Sequence, residues 1–279
     1  MDFFQAVVLG LIQGLTEFLP ISSSGHLVLF QHLFGFKESM LAFDLVLHWA
    51  TLLAVFVYFK KDLIYLIDHF FRFAAGLLQG KSPADLFRQY PGARVSLLIV
   101  VASIPTGVIG VLFKDAMEAL FKDFGSLGIQ WLIMGAVLVY SSRHDKGTRT
   151  LEEMGVGTAL LIGLAQGVAI IPAVSRSGLT ICAAFWMGIE KKAAARFSFL
   201  IGIPAILAAG LMELRHGLGA TGVAAFPLAA GFMVSLIAGY LSIAFLLNLI
   251  QRDKLHIFGY YSWFMAAVVA AIVVLEKVF

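Results

Sequence analysis

The stretch Gln13 to His26, QGLTEFLPISSSGH, places a carboxylate, three serines, two glycines and a histidine inside an otherwise apolar chain. Buried polar groups of this kind are costly unless they are partnered or used. Sliding the sequence by 153 positions without a gap sets Gln13 on Gln166, Gly14 on Gly167, Ser22 on Ser175, Ser24 on Ser177 and Gly25 on Gly178. The differences fall at the chemically active positions: Glu17 lands on Ile170, Ser23 on Arg176 and His26 on Leu179. One ancestral element is therefore read twice, as an acid/base half and as a cation half.

The chain around it has 279 residues, 60% of them hydrophobic and 13% charged, with a mean hydropathy of +0.92. Soluble domains carry roughly 25% charged residues. The deficit is too large for a big buried core and marks a bilayer protein. A single cysteine, Cys182, rules out a disulfide within the chain. The start, MDFFQAVVLGLIQG, has no positive n-region, so a cleaved signal peptide is not expected. The net charge of +3 comes from loop lysines and arginines and gives no reason to expect nucleic acid as a partner.

A spanning helix needs roughly 20 mainly apolar residues. Six stretches approach that length: 41 to 59, 94 to 113, 126 to 142, 197 to 213, 225 to 250 and 258 to 275. Two more, 4 to 35 and 154 to 190, are interrupted by Pro20 with its Ser/Gly cluster and by Pro172 with SRSG. Broken backbone survives in lipid only where protein or a water-filled cavity covers it. Both are read as re-entrant helix hairpins. The expected fold is an all-α integral membrane protein of six transmembrane helices and two opposed hairpins, a single domain over 1 to 279 with repeats at 1 to 142 and 154 to 279. Three spans per repeat is odd, so the second repeat is inverted and the polar tips meet near the midplane.

Lysine and arginine counts orient the chain. Fourteen of the twenty lie in the loop groups Lys60 to Arg94, Arg143 to Arg149, Lys191 to Arg196, and Arg252 with Lys254; Lys37, Lys114, Lys122, Arg215 and Lys277 lie on the other face. The first face is expected to be cytoplasmic, with both termini and the first hairpin opening outward. The segment 60 to 93, mixing apolar and basic residues, reads as an interfacial helix or a solvated connector.

In the first hairpin, Gln13 and Glu17 share a helix face at i, i+4. An intramembrane carboxylate costs on the order of 3 kcal/mol unless it has a partner or a cavity. After Pro20, the hydroxyls and backbone N–H groups of Ser22, Ser23, Ser24 and Gly25 would favour an anion at a helix start. His26 can serve there as acid, base or nucleophile. These parts suit phosphoryl or acyl transfer, and no second histidine or cysteine stands at zinc-ligand spacing. Serines and glycines also let membrane helices pack closely, and Ser24 is the member most readily explained that way. In the second hairpin, Arg176 lies between Ser175 and Ser177 and precedes Gly178 and Thr180. Its guanidinium needs an anion, either Glu17 or a phosphate. The surrounding hydroxyls favour phosphate, whose usual companion is a divalent cation, with Glu17 as a ligand. His48 reads equally as cavity lining or helix packing, Asp44 as a supporting acid, and Trp131 as packing.

QGLTEFLPISSSGH followed by PAVSRSGLT resembles the two signatures of the bacterial undecaprenyl pyrophosphate phosphatase family, of the bacitracin-resistance type. The resemblance runs over essentially the whole chain, including FDLVLHWATLLAVFVYF at 43 to 59 and ARFSFLIGIPAI at 195 to 206. Ala173 stands where that family's loop has glycine, and Gln13 takes a position its pattern allows to be Glu or Gln. The resemblance implies hydrolysis of a polyprenyl pyrophosphate to the monophosphate and inorganic phosphate, aided by Mg²⁺ or Ca²⁺, to recycle the lipid carrier of cell-wall synthesis. It further implies a bacterial inner-membrane location. Carried over, the catalytic set is Glu17, His26, Ser22 and Ser23, with Glu17 holding metal. Arg176, Ser175, Ser177, Gly178, Thr180 and Gln13 bind substrate. Whether His26 or a serine attacks phosphorus stays open.

A transporter or flippase of an anionic lipid is the rival, since inverted repeats with broken helices are carrier architecture. Transport needs no His26 beside Glu17. A lipid phosphatase family with a Lys-x6-Arg-Pro signature is excluded because no Arg-Pro occurs. A homodimer is compatible with either reading.

Overall fold

The computed structural model describes residues 1–36, 40–144, 146–215 and 223–278. In chain order the helices are α1 (Phe3–Phe18), α2 (Ser23–Leu33), α3 (Leu41–Tyr58), α4 (Lys60–Leu78), α5 (Pro83–Gln89), α6 (Pro91–Leu112), α7 (Lys114–Lys122), α8 (Ser126–Ser141), α9 (Val156–Val168), α10 (Arg176–Trp186), α11 (Lys191–Arg215), α12 (Ala225–Gln251) and α13 (His256–Val278). Among the described residues there is no strand, and one isolated bridge joins Arg149 to Ile189.

Both interrupted stretches break where the sequence says they should. A residue before proline is pushed out of the helical region, and Leu19 closes α1 at φ −67°, ψ 143°. Ser22 then caps α2, its hydroxyl accepting from the Gly25 N–H, and Ser175 caps α10 in the same way through Gly178. The two caps are the pair matched by the 153-residue offset.

Among the described residues, five helices are long and apolar enough to cross a membrane: α3, α6, α11, α12 and α13. The sixth expected span is α8, with 16 residues. At ~1.5 Å per residue it is shorter than a hydrocarbon core of about 30 Å. The outer faces are apolar: Val100, Ile104, Val108 and Val111 line one side of α6, each more than half exposed. In water such a strip would drive aggregation; in a bilayer it is the solvent contact. This is a multi-pass membrane protein. The segment 60 to 93 forms α4 and α5, with Leu86 of α5 seated on Gly76 of α4. The short helix α7 was not expected. Lys37, one of the residues used for orientation, lies outside the described residues.

Packing partners are exchanged between the halves: α1 lies on α12, α9 on α6, and α8 on α13. Glycines make the first two contacts possible. A Cβ on Gly10 would sit 2.4 Å from the Gly231 carbonyl oxygen, and one on Gly163, its partner at the 153-residue offset, 2.0 Å from that of Ala102. Backbone oxygens cannot step aside as flexible side chains do. Gly163→Ala is therefore expected to cost about 1–3 kcal/mol by forcing α9 from α6, read as a lowered thermal midpoint in detergent.

Candidate active site

Glu17, in the last turn of α1, organises a buried junction between the two broken elements. Its Oε1 accepts from Arg176 Nη2 at 2.6 Å, and its Oε2 accepts from Ser23 Oγ at 2.6 Å and from Gln13 Nε2 at 3.1 Å. His48 Nε2 stands 3.6 Å from the same Oε2. The carboxylate and guanidinium side chains are only 7% and 16% exposed. Charges this buried need each other, since removing one partner strands the other. The sequence favoured phosphate over Glu17 as the partner of Arg176; in the structure Glu17 makes the pair.

Arg176 opens α10, and its Nη1 donates to the Ser198 carbonyl of α11 at 3.5 Å. One turn further along α11, a Cβ on Gly202 would fall 2.1 Å from Nη1, so the guanidinium lies on bare backbone. Here the obstructed atom is the far end of a flexible side chain. Gly202→Ala is expected to keep the fold and push the guanidinium aside. A displacement of about 1 Å costs on the order of 100-fold in rate, measurable as lost phosphate release at an unchanged thermal midpoint.

The tips meet reciprocally. A Cβ on Gly25 would lie 3.0 Å from Ala173, and one on Gly178 2.9 Å from Pro20 Cβ. Position 20 and position 173 are themselves partners at the 153-residue offset. Ser175 and Ser177 both donate to the Leu19 carbonyl, at 3.5 and 3.3 Å, while Thr180 shares a 2.6 Å hydrogen bond with Ser198. Ser22 and Ser24 are 3.2 Å apart at the start of α2. Helices α2 and α10 thus both begin where the tips meet, and a helix start favours an anion. Ala173 is fully buried with φ +56°, the left-handed region that glycine enters without strain.

His26 is held on all sides. Nδ1 lies 2.6 Å from the Ser22 carbonyl and Nε2 2.8 Å from the Tyr261 hydroxyl, with Trp131 packed edge-on at 5.2 Å. Trp131 in turn donates to the Ile21 carbonyl at 3.0 Å, pinning the tip to α8.

A family model described as "Bacitracin resistance protein BacA" matches residues 6–268. The chain belongs to the BacA family. An undecaprenyl-diphosphatase of Methanosphaera stadtmanae is 44% identical over 265 residues, covering 94% of each chain. One of Caldicellulosiruptor bescii is 39% identical over 279 residues, covering both chains completely. A third, of Carboxydothermus hydrogenoformans, is 38% identical over 96% of this chain and 97% of its own.

In this BacA-family chain, Gln13, Glu17, Ser23 and Arg176 form one hydrogen-bonded group, while Ser22 and Ser175 cap α2 and α10, and Ser177, Gly178 and Thr180 lie in the first turns of α10. Six further contributors lay outside the catalytic and binding set expected from the sequence. His48, which it split between lining and packing, faces Glu17. Asp44 accepts from Gln31 at 2.7 Å and supports the His48 ring through its carbonyl at 2.8 Å. Trp131, read as packing, presses on His26. Tyr261 carries no motif and has no like partner at the 153-residue offset, so no local signal marked it. Ser198 and Gly202 lay within the stretch 195 to 206, noted only for family resemblance.

Proposed function

We propose that this protein hydrolyses undecaprenyl pyrophosphate to the monophosphate and inorganic phosphate at the bacterial inner membrane. The observation that carries this is the continuous chain Arg176–Glu17–Ser23, which joins an anion-binding group, a base and a hydroxyl nucleophile across the two tips. The names of the relatives, each matched over nearly the whole length, point the same way.

The finer architecture follows the same reading: six spans with α8 completing the set, and two opposed re-entrant hairpins related as an inverted repeat. The reciprocal contacts of Gly25 with position 173 and of Gly178 with position 20 support it, as does the exchange of α1 and α9 between α12 and α6. The lysine and arginine asymmetry supports a site opening to the outer face, and a homodimer is compatible with it.

A divalent cation fits the residues present. Among the described residues no three His, Cys, Asp or Glu side chains cluster. Gln13 Oε1, however, is buried without a hydrogen-bond partner, and its amide nitrogen touches Glu17. Glu17 and Gln13 would hold Mg²⁺ or Ca²⁺ through oxygen, the donor these ions require. When bound, the ion would neutralise pyrophosphate oxygens.

The chain's own residues divide the work. Arg176, the first N–H groups of α10 and the Ser175 and Ser177 loop bind the β-phosphate. Ser23 attacks phosphorus as its proton passes to Glu17, and the bond to the bridging oxygen breaks, releasing the lipid monophosphate. Water then attacks the phosphoserine. Its proton is taken by His26, and Ser23 recovers its own from Glu17. Ser23 is preferred to His26 as nucleophile because its hydroxyl already donates to Glu17 Oε2 at 2.6 Å. The test is purified protein in detergent with undecaprenyl pyrophosphate and Mg²⁺ or Ca²⁺. Release of monophosphate and phosphate, stopped by chelation, is expected. Movement of the lipid across vesicles without hydrolysis would overturn the reading.

A further inference from the structure

Away from the two tips, α8 and α10 pack on each other and end side by side. Tyr140 in the last turn of α8, Arg143, His144 and Lys146 just beyond it, and Phe185 and Trp186 at the end of α10 line an open cavity of about 640 Å³. The 16 residues of α8 rise ~24 Å, short of a hydrocarbon core of about 30 Å, so a recess at its end lies within reach of lipid headgroups. The loop 143 to 149 belongs to the face that carries fourteen of the twenty lysines and arginines.

One wall of the recess is aromatic. Phe185 is buried, whereas Trp186 and Tyr140 are 43% and 57% exposed, with ring centroids 6.3 Å apart. Half-exposed tryptophan and tyrosine are typical of headgroup level in a bilayer. The other wall is cationic, and its charges are not consumed in closing the helices. At the end of α10 the backbone N–H groups of Met187, Gly188 and Ile189 donate to the carbonyls of Ala183, Phe185 and Ala184, and Arg149 Nη1 donates to the Met187 carbonyl at 3.2 Å. At the end of α8 the His144 ring donates through Nδ1 to the Tyr140 carbonyl at 3.0 Å and lies against the Tyr140 ring at 4.4 Å. Arg143 and Lys146 remain. Both are exposed, and neither side chain makes a hydrogen bond or an ion pair among the described residues. Other arginines of this face are occupied: Arg72 by Asp68, Arg94 by the Met154 carbonyl, Arg196 by Asp62 and Arg252 by Asn248. Lys146 also borders an adjoining cavity of about 560 Å³, with Lys192 and Glu190.

We propose that the recess between the ends of α8 and α10 binds an anionic glycerophospholipid of the surrounding leaflet, with its phosphate on Arg143 and Lys146 and its glycerol against Trp186 and Tyr140. A guanidinium and an ammonium with no protein partner match a phosphodiester in charge and in hydrogen bonding. Basic pockets between helices on the cytoplasmic side take acidic headgroups for this reason. The volume is that of a small-molecule site, enough for a headgroup and glycerol while the acyl chains stay in the bilayer. A soluble phosphate would leave the aromatic wall unused, and a choline headgroup would bring a cation against two others. The inference does not depend on the hydrolytic reading.

The experiment is native mass spectrometry of the purified full chain, titrated in detergent with phosphatidylglycerol or phosphatidylcholine. Phosphatidylglycerol is expected to bind more tightly. The double variant Arg143→Gln with Lys146→Gln is expected to weaken it about 25-fold, about fivefold for each cation removed. Lys60→Gln with Lys61→Gln removes the same charge from exposed positions of α4 on the same face and should leave the affinity unchanged. Millimolar sn-glycerol 3-phosphate, which has the phosphate without the chains, should not displace the lipid. Wild-type affinity in the Arg143/Lys146 variant would overturn the inference, as would equal binding of the two lipids. An equal loss in the Lys60/Lys61 variant would reduce the effect to the overall charge of the face and remove the site. Displacement by glycerol phosphate would turn the recess into a site for a soluble anion and overturn the lipid assignment.

Discussion

Replacing Ser23 by alanine is expected to lower phosphate release at least about a thousandfold while leaving the protein folded. The separation of the two effects comes from the local geometry. The side chain that caps α2 belongs to Ser22, whose hydroxyl accepts from the Gly25 N–H at 3.3 Å. Ser23 is the first residue of the helix and gives its proton to Glu17 at 2.6 Å. Deleting its oxygen removes the proposed nucleophile and puts a good helix former in its place. Ser22→Ala is the matching control: it loses the cap, at about 1 kcal/mol of stability, and keeps the Ser23–Glu17 contact. Steady-state phosphate release and thermal unfolding in one detergent measure both. Covalent phosphate trapped on Ser23 by rapid quenching would confirm the assignment. A wild-type rate in Ser23→Ala would remove it.

The second large effect is expected at Arg176. Arg176→Lys keeps the positive charge opposite Glu17 but loses the planar fork, one arm of which holds Glu17 while the other reaches the Ser198 carbonyl. Loss of such a preorganised donor costs about 10²–10³ in rate. Alanine is the poorer probe, because an unpaired buried Glu17 would destabilise the protein by about 3–5 kcal/mol and confuse stability with catalysis. The double replacement Glu17→Gln with Arg176→Met separates them, since it removes both charges together. Stability is expected to return toward wild type, whereas activity is not. Full activity of Arg176→Lys would show that charge alone suffices at this position.

The sequence was most informative where one chemical rule dominated. Pro20 and Pro172 marked the breaks because proline constrains its own backbone and that of its neighbour. The 153-residue echo marked both capping serines because a helix start needs the same side chain wherever it occurs. Arg176 was marked because an unpaired guanidinium is intolerable in lipid. Its choice of Glu17 was not legible, since carboxylate and phosphate satisfy a guanidinium alike. Tyr261 and Ser198 were hidden for a different reason. Each reaches the site from a regular span, where a tyrosine or serine is unremarkable by composition and only the crossing of helices gives it a role. The bounds of α8, read as 126 to 142 and found as Ser126–Ser141, were legible because an unbroken apolar run sets them.

The Glu17–Arg176 contact has a consequence for the membrane itself. Two broken helices that abut within a bilayer are a weak point in its insulation, where water and small ions have a polar foothold. With the carboxylate and guanidinium closed on each other, that foothold carries no net charge, and the glycine contacts between the tips leave little room for a hydrated ion. The pair is therefore expected to keep the resting protein electrically quiet in a bilayer, read as no ion conductance through vesicles that contain it.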